Sequence, residues 1–189
     1  MERLLLILIF TFSFQTLTNA DDIRDFEIEG MSIGDSLLDF YSIDEIESKS
    51  KRYYPNSKKY YHLSFVEKKV VYDGLKFHIF NRDNKYIIQS FQGRLTIDNI
   101  EDCLIKKKLV KDQISSSLSV INTNDYEFDY PQYANSKAIV SALYINGGKI
   151  KIWCDDLSKA VNDEGYLSGL AVDISPQKFD KWLNNEAYK

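Results

Sequence analysis

The strongest constraint on the fold is the segment Asn146-Gly147-Gly148, which separates two stretches of β-type sequence. AIVSALYI precedes it, and KIKIWC follows it with Ile150, Ile152 and Cys154 alternating with other side chains. Asn-Gly is the strongest short signal for a hairpin because both residues tolerate a positive φ. The sequence therefore predicts an antiparallel hairpin here.

A second group of strands is predicted earlier in the chain. LKFHIF and YIIQSFQGRLTI flank residues 81–85, whose composition is that of a hairpin loop. GLAVDI, near the C-terminus, has the β-branched and aliphatic content of another strand. Strands joined by tight turns favour antiparallel pairing.

Residues 100–121 are predicted to form a long helix. Their apolar side chains recur at spacings of three and four, and lysines fill much of the remaining surface. A C-terminal helix is predicted after Ser175-Pro176, with Ser175 as its cap. Its apolar stripe consists of Phe179, Trp182, Leu183 and Ala187.

The N-terminal part carries two helix-start signals. Ser32 with Asp35, and Ser42 with Glu45, have the spacing of a capping box, so two short helices are expected. Residues 49–62, around Pro55-Asn56, and the polar residues 122–135 are predicted to be loops.

These elements predict a single α+β domain over residues 21–189. In this fold, antiparallel hairpins pack against one long central helix and a C-terminal helix, with short helices at the N-terminal end. An arrangement of two similar halves, each with hairpin strands followed by a helix, is an alternative.

Residues 1–20 are predicted to be a signal peptide. The apolar run LLLILIFTFSF, residues 4–14, is shorter than the roughly 20 residues that span a bilayer, and small and polar residues lead to a cut after Ala20. An uncleaved anchor and a buried helix are the alternatives. We expect a periplasmic or secreted protein without a transmembrane segment after cleavage.

The chain contains two cysteines, Cys103 and Cys154. Cys103 lies on the apolar stripe of the long helix, and Cys154 shares the aliphatic face of its strand. In an oxidising compartment these faces predict a Cys103–Cys154 disulfide. Two buried free thiols are the alternative, and a catalytic thiol is less favoured because nothing adjacent would lower the thiol pKa.

Composition excludes two classes of protein. With 44% hydrophobic residues the chain can build a core, so it is not disordered. Its 24 basic and 28 acidic residues give a formal charge of −4. We therefore expect no binding to duplex nucleic acid, which requires a clustered positive field.

The sequence offers little for catalysis. The two histidines, His62 and His78, belong to no recognised zinc or nucleophile motif, and the glycines form no phosphate loop. Asp155-Asp156 is the best carboxylate pair, but adjacent residues of a strand point to opposite faces. We therefore predict no catalytic residue, no metal site and no cofactor.

The most distinctive surface candidate is the stretch Lys49–His62, where basic and aromatic residues interleave. Such a composition can hold an anionic polymer by charge while the rings stack on sugars. The alternative is a solvated face in a chain rich in lysine and tyrosine throughout. The predicted binding residues are Lys51, Arg52, Tyr53, Tyr54, Lys58 and Lys59.

Several segments resemble a group of small exported proteins of unassigned function from AT-rich marine bacteria. They are GMSIGDSLLDFYSIDEIES, YDGLKF, a cysteine opening a lysine-rich helix, WCDDLS and KWLNNEAYK. Gly30-Met31-Ser32 with the leucines after it is similar to the opening of outer-membrane assembly lipoproteins of the SmpA/OmlA type. That similarity implies a compact α+β interaction module. Neither resemblance assigns a functional residue.

The leading hypothesis is a non-catalytic binding or protein-interaction module whose partner is an envelope protein or a glycan. The first alternative is an envelope hydrolase that uses dispersed Asp and Glu residues with His62 or His78. The second alternative is binding of an anionic glycan or lipid through Lys49–His62.

Overall fold

Eight strands form one antiparallel sheet in the computed structural model, which describes residues 22–66, 71–163 and 166–189. The strands are β1 (Arg52–Tyr54), β2 (Ser57–Val66), β3 (Gly74–Phe80), β4 (Ile88–Thr96), β5 (Asn122–Asp129), β6 (Lys137–Ile145), β7 (Gly148–Asp156) and β8 (Gly169–Pro176). Their order across the sheet is β1-β2-β3-β4-β8-β7-β6-β5. Two four-stranded meanders therefore meet where β4 pairs with β8.

Four α-helices accompany the sheet. They are α1 (Ile43–Glu47), α2 (Ile100–Ser117), α3 (Lys159–Asp163) and α4 (Gln177–Trp182). Short 3₁₀ segments cover Ile23–Asp25 and Leu37–Asp39, and a π-helical turn, Leu183–Ala187, follows α4. Within the described ranges, no helix has the length and apolarity needed to cross a bilayer. The predicted signal peptide, residues 1–20, lies outside these ranges.

The predicted α+β fold, with separate hairpins packed on a central and a C-terminal helix, is wrong. Among the described residues, strands account for 42% and helices for 28%, and the strands belong to one continuous sheet. Antiparallel pairing from Phe91 opposite Ile174 to Thr96 opposite Gly169 joins the two meanders. Periodicity reveals individual strands, but this long-range pairing leaves no local pattern.

Two predicted loops are also wrong, and both contain edge strands. Residues 49–62 hold β1, a turn at Pro55-Asn56 and the first half of β2. Residues 122–135 hold β5, in which every side chain is exposed. The alternating aromatic residues of β5, Tyr126 and Phe128, are exposed, so this segment lacks the buried apolar face by which a strand is recognised.

The helix-start signals have mixed outcomes. Ser42 and Glu45 form the predicted capping box of α1. Ser32 and Asp35 instead form a turn, in which the Ser32 amide donates to the Asp35 carboxylate at 2.7 Å. Ser175 does not cap α4, because its hydroxyl donates to Asp173 at 2.7 Å and Pro176 occupies the cap position.

The predicted disulfide is confirmed. The Sγ atoms of Cys103 on α2 and Cys154 on β7 are 2.02 Å apart, and their Cα atoms are 6.0 Å apart. The Asn99 side chain caps α2 by accepting from the amides of Glu101 and Asp102. The disulfide thus fastens the one long helix to the middle of the sheet.

The two faces of the sheet are covered differently. On the first face, α2 and the N-terminal segment bury a large core that includes Phe77, Phe91 and Ile152. On the second face, α4 packs Phe179 against Tyr60 and His78, with ring centroids 5.3 and 4.9 Å apart. This packing covers one end of the second face and leaves the other end without a helix.

Candidate functional site

The part of the second face beyond α4 is the candidate site, and we call it the open face, although its side chains are buried or half-buried. Its side chains come from β3, β4, β7 and β8, and the antiparallel register sets them side by side. They are Lys76, Gln92, Arg94, Lys151, Trp153, Asp155 and Asp173. Because residues at alternate positions share a face, these polar groups lie opposite the core of the first face.

One cross-strand row of the open face reads Lys76–Gln92–Asp173–Lys151. Lys76 and Lys151 form no hydrogen bond or ion pair within the described part of the chain. The Gln92 amide also has no hydrogen-bond partner there, although the residue is only 9% exposed. This row therefore holds two ammonium groups and one amide that have no hydrogen-bond or ion-pair partner and whose polar atoms contact solvent.

Burial dominates the electrostatics of Lys76. Loss of solvent, followed by repulsion from Arg94, lowers the pKa of its ammonium, whereas attraction from Asp173 raises it. The Asp173 carboxylate accepts from the Ser175 hydroxyl. An added anion would stabilise the charged form of a partly desolvated cation that has no ion-pair partner.

A second row contains Arg94–Ala171–Trp153–Val140. Trp153 Nε1 donates to Asp155 at 3.0 Å, which fixes the indole. Lys151 Nζ lies 5.8 Å from the centroid of that ring. Trp153 is half-buried, so the open face also presents part of an aromatic surface.

Asp155 has a structural role at the border of the open face. Its carboxylate is 5% exposed and lies 2.6 Å from the Arg94 guanidinium. It also accepts from Trp153 and, in a short contact, from the Tyr130 hydroxyl. With three donors around it, Asp155 is already fully occupied. Its neighbour Asp156 points to the opposite face, so the pair does not converge on one site.

A cleft of about 390 Å³ adjoins the Arg94–Asp155 ion pair. Three of its seven lining residues are tyrosines, and the rings of Tyr133 and Tyr166 are 5.1 Å apart between centroids. Burial and the bond to Asp155 raise the pKa of the Tyr130 hydroxyl, which therefore stays protonated. The cleft extends the open face with further aromatic surface.

The structure divides the binding residues predicted within Lys49–His62 between two faces. Lys51 Nζ lies 4.9 Å from the Tyr61 ring, and the Tyr53 ring packs 5.9 Å from the same ring. Tyr54 is buried on the other side, beneath α4. These residues do not form one surface.

Arg52 and the two remaining lysines of that stretch are also separated. Arg52 lies opposite His62 in the β1–β2 ladder. Lys59 lies over the Tyr60 ring and 3.8 Å from Glu186, whereas Lys58 is exposed near the hairpin turn. These residues belong to β1 and β2, and successive side chains of a strand point to opposite faces of the sheet. The three side chains therefore do not lie together.

The histidines lie beneath or beside α4. The Tyr54 hydroxyl is 2.7 Å from His78 Nδ1, and the His62 and His78 rings are 5.7 Å apart. Burial, together with nearby positive charge, lowers the pKa of His62 to about 4, and burial lowers the pKa of His78 well below its usual range. Both imidazoles are therefore neutral at pH 7. Among the described residues, no three His, Cys, Asp or Glu side chains are placed to hold a metal ion.

Sequence reasoning missed most of the open face. Period-two alternation in KIKIWC correctly places Lys151 and Trp153 on one side of β7. Lys76, Gln92 and Asp173 come from three other strands, and only the β4–β8 pairing brings them to Lys151. One sequence signal could have pointed to these residues. It is a polar residue at an alternating position within an apolar strand, as Lys76 is in LKFHIF.

No protein-family model, curated protein or solved structure matches this chain.

Proposed function

We propose that this protein is an exported, non-catalytic binding module that holds an anionic component of the cell envelope on its open face. One observation carries the proposal: Lys76, Gln92 and Lys151 lie in one cross-strand row, and none of them has a hydrogen-bond or ion-pair partner among the described residues. Among those residues, only Nδ1 of His62 is a fully buried side-chain polar atom without a partner, so the polar atoms of this row still contact solvent. Groups left unpaired in a row are available to a ligand.

The electrostatics of the row support an anion as that ligand. Burial disfavours the charged form of Lys76, and a bound anion would restore it. Charge-assisted hydrogen bonds from ammonium to carboxylate or phosphate are stronger than bonds between neutral groups.

The arrangement of the catalytic candidates favours binding over hydrolysis. His78 is held by Tyr54, both histidines are neutral at pH 7, and the Asp155 carboxylate is occupied by three donors. The rival hydrolase would need one of these groups to act as acid or base. Turnover of an envelope substrate that a single polar substitution abolishes without unfolding would contradict the proposal.

Export is supported by the apolar run at residues 4–14 together with the disulfide. Disulfides persist in oxidising compartments such as the periplasm or the extracellular space. We expect N-terminal sequencing of the protein from the periplasm or medium to begin at Asp21. Recovery only from the cytosol, with Met1 retained and both thiols free, would contradict export.

The binding test uses three anionic probes at low salt: polygalacturonate, poly-L-glutamate and phosphatidylglycerol vesicles. We expect at least one to bind, and the double variant Lys76→Gln/Lys151→Gln to weaken that binding at least tenfold. The matched control is Lys85→Gln/Lys178→Gln, which removes two exposed lysines elsewhere. Its binding should stay within twofold of wild type.

Two results would overturn the assignment of the open face. One is the absence of binding to all three probes. The other is binding that survives Lys76→Gln/Lys151→Gln but is lost when Lys51, Arg52, Lys58 and Lys59 are replaced by alanine. The second result would place the site on the β1–β2 hairpin.

A further inference from the structure

We infer that the anionic ligand of the open face is an acidic polysaccharide, a chain of sugar rings that carry carboxylates. This inference rests on the proposed function and adds the chemical class of the ligand. It follows from three features of the open face: two separated cations, hydroxyl-binding groups between them and an aromatic ring beside them.

The two free cations require an extended ligand with more than one charge. Lys76 and Lys151 are three strands apart, a Cα separation of about 14 Å at the usual spacing of a sheet. Lys151 Nζ lies near the Trp153 ring on its own strand, so it is not directed at Lys76. A single carboxylate or phosphate therefore cannot satisfy both ammonium groups.

The groups between the cations select for hydroxyls. Gln92 offers an unpaired amide, which both donates and accepts, and Asp173 offers a carboxylate, which only accepts at neutral pH. Asp173 would repel a ligand that carries anionic groups alone. A sugar chain supplies carboxylates for the two lysines and hydroxyl donors for Asp173.

The aromatic side chains fit a sugar ring. The Trp153 indole is held by its hydrogen bond to Asp155. Tyr126 lies two strands away on β5, and Val140 on β6 lies between the two residues. The C–H face of a pyranose ring can pack on such a surface and remove apolar area from water. Poly-L-glutamate and the headgroup of phosphatidylglycerol offer no ring beside their charges.

The test compares polygalacturonate with poly-L-glutamate, which bears a carboxylate on every unit but no sugar ring, and with neutral dextran. We expect the purified protein to bind polygalacturonate at least tenfold more tightly than poly-L-glutamate and to leave dextran unbound. Affinity electrophoresis with each polymer in the gel measures all three. Phosphatidylglycerol vesicles serve as the lipid arm, and we expect weaker binding to them than to polygalacturonate.

Variants of Trp153 test the stacking step. Trp153→Ala should weaken polygalacturonate binding about tenfold and change poly-L-glutamate binding less than twofold. Trp153→Phe keeps a ring while losing the bond to Asp155, so it should retain binding within about threefold of wild type. Phe40→Ala, which removes an exposed ring elsewhere, should have no effect. Circular dichroism checks that each variant folds.

The outcomes separate this inference from the proposed function. If the protein binds polygalacturonate and poly-L-glutamate equally, and Trp153→Ala weakens both equally, the inference of a polysaccharide ligand is wrong. The proposal that the open face binds anions would still stand. Tighter binding to the vesicles overturns it in favour of a lipid. If Lys76→Gln/Lys151→Gln weakens no binding at all, both proposals fail.

Discussion

The hydroxyl of Tyr54 lies 2.7 Å from Nδ1 of His78, and this contact ties the edge strand β1 to β3 beneath α4. The Tyr54 ring also packs edge-on against Trp182 and Tyr188, with centroids 4.9 and 5.6 Å away. Burial of this hydroxyl raises its pKa strongly, so it stays protonated throughout the physiological range. A single residue thus joins the β1–β2 hairpin to the C-terminal segment.

Replacing Tyr54 by phenylalanine should lower the free energy of unfolding by about 1–2 kcal/mol, because it leaves a buried imidazole nitrogen without its partner. Urea unfolding followed by fluorescence measures the change. Tyr53→Phe is the matched control, since Tyr53 is 41% exposed and its hydroxyl contacts Asn81 only at 3.4 Å. A loss for Tyr53→Phe as large as that for Tyr54→Phe would refute the role of the buried contact.

The histidines should make the fold sensitive to acid. The pKa of His62 is about 4 in the folded protein, against about 6.5 in an unfolded chain, so the unfolded state takes up the proton first. The contribution to stability is present above pH 6.5 and is lost as the pH falls towards 4. Burial lowers the pKa of His78 in the same direction.

We therefore expect the urea concentration at the midpoint of unfolding to decrease as the pH is lowered from 6.5 to 5. Most carboxylates titrate below this range. His62→Gln should flatten this part of the profile, and NMR titration of the His62 ring should show no protonation above pH 5. An unchanged midpoint between pH 7.5 and pH 5 in the wild-type protein would contradict the prediction.

Loss of the disulfide should destabilise the protein by about 4 kcal/mol. The bond joins residues separated by 51 positions, and the chain-entropy estimate for a closed loop of that size has this magnitude. Guanidinium unfolding of Cys103→Ser/Cys154→Ser against the oxidised wild type measures it. Added reductant should shift the wild-type midpoint to that of the variant and leave the variant unchanged. Identical oxidised and reduced midpoints would show that the bond does not stabilise the fold.

Asp155→Asn should destabilise the protein by about 2 kcal/mol, because it removes the charge that compensates Arg94 in a pair whose carboxylate is 5% exposed and whose guanidinium is 31% exposed. Asp156→Asn supplies the control, since this neighbour is less buried and faces the other way. We expect it to change the free energy of unfolding by less than about 0.5 kcal/mol. Thermal unfolding of both variants decides the point, and equal losses would argue against a specific role for the Asp155 network.

The local elements that the sequence predicts correctly have short-range causes. Asn146-Gly147 forms the predicted turn between β6 and β7, in which Gly147 has a φ of 81°, a conformation that glycine adopts without steric strain. The Ser42–Glu45 capping box starts α1 for an equally local reason. The Cys103–Cys154 pairing combines two amphipathic patterns with the expected compartment.

The elements that the sequence missed depend on their neighbours. β5 consists of exposed polar and aromatic residues, and only pairing with β6 makes it a strand. The stretch Lys49–His62 resembles a loop in composition, yet pairing with β3 extends it into β2. In both cases the backbone hydrogen bonds to an adjacent strand outweigh a weak local preference.

Short-range patterns are enough to predict the turns, most of the long helix and the side of β7 on which Lys151 and Trp153 lie, because each depends on residues within a few positions of one another. The union of the two meanders into one sheet, which brings Lys76, Gln92 and Asp173 to the open face, depends on long-range strand pairing. Ser90 and Ile174, which bond across the central junction, are 84 residues apart. Closing so long a loop costs entropy that no local motif can offset, so it forms only when the whole sheet and its core assemble.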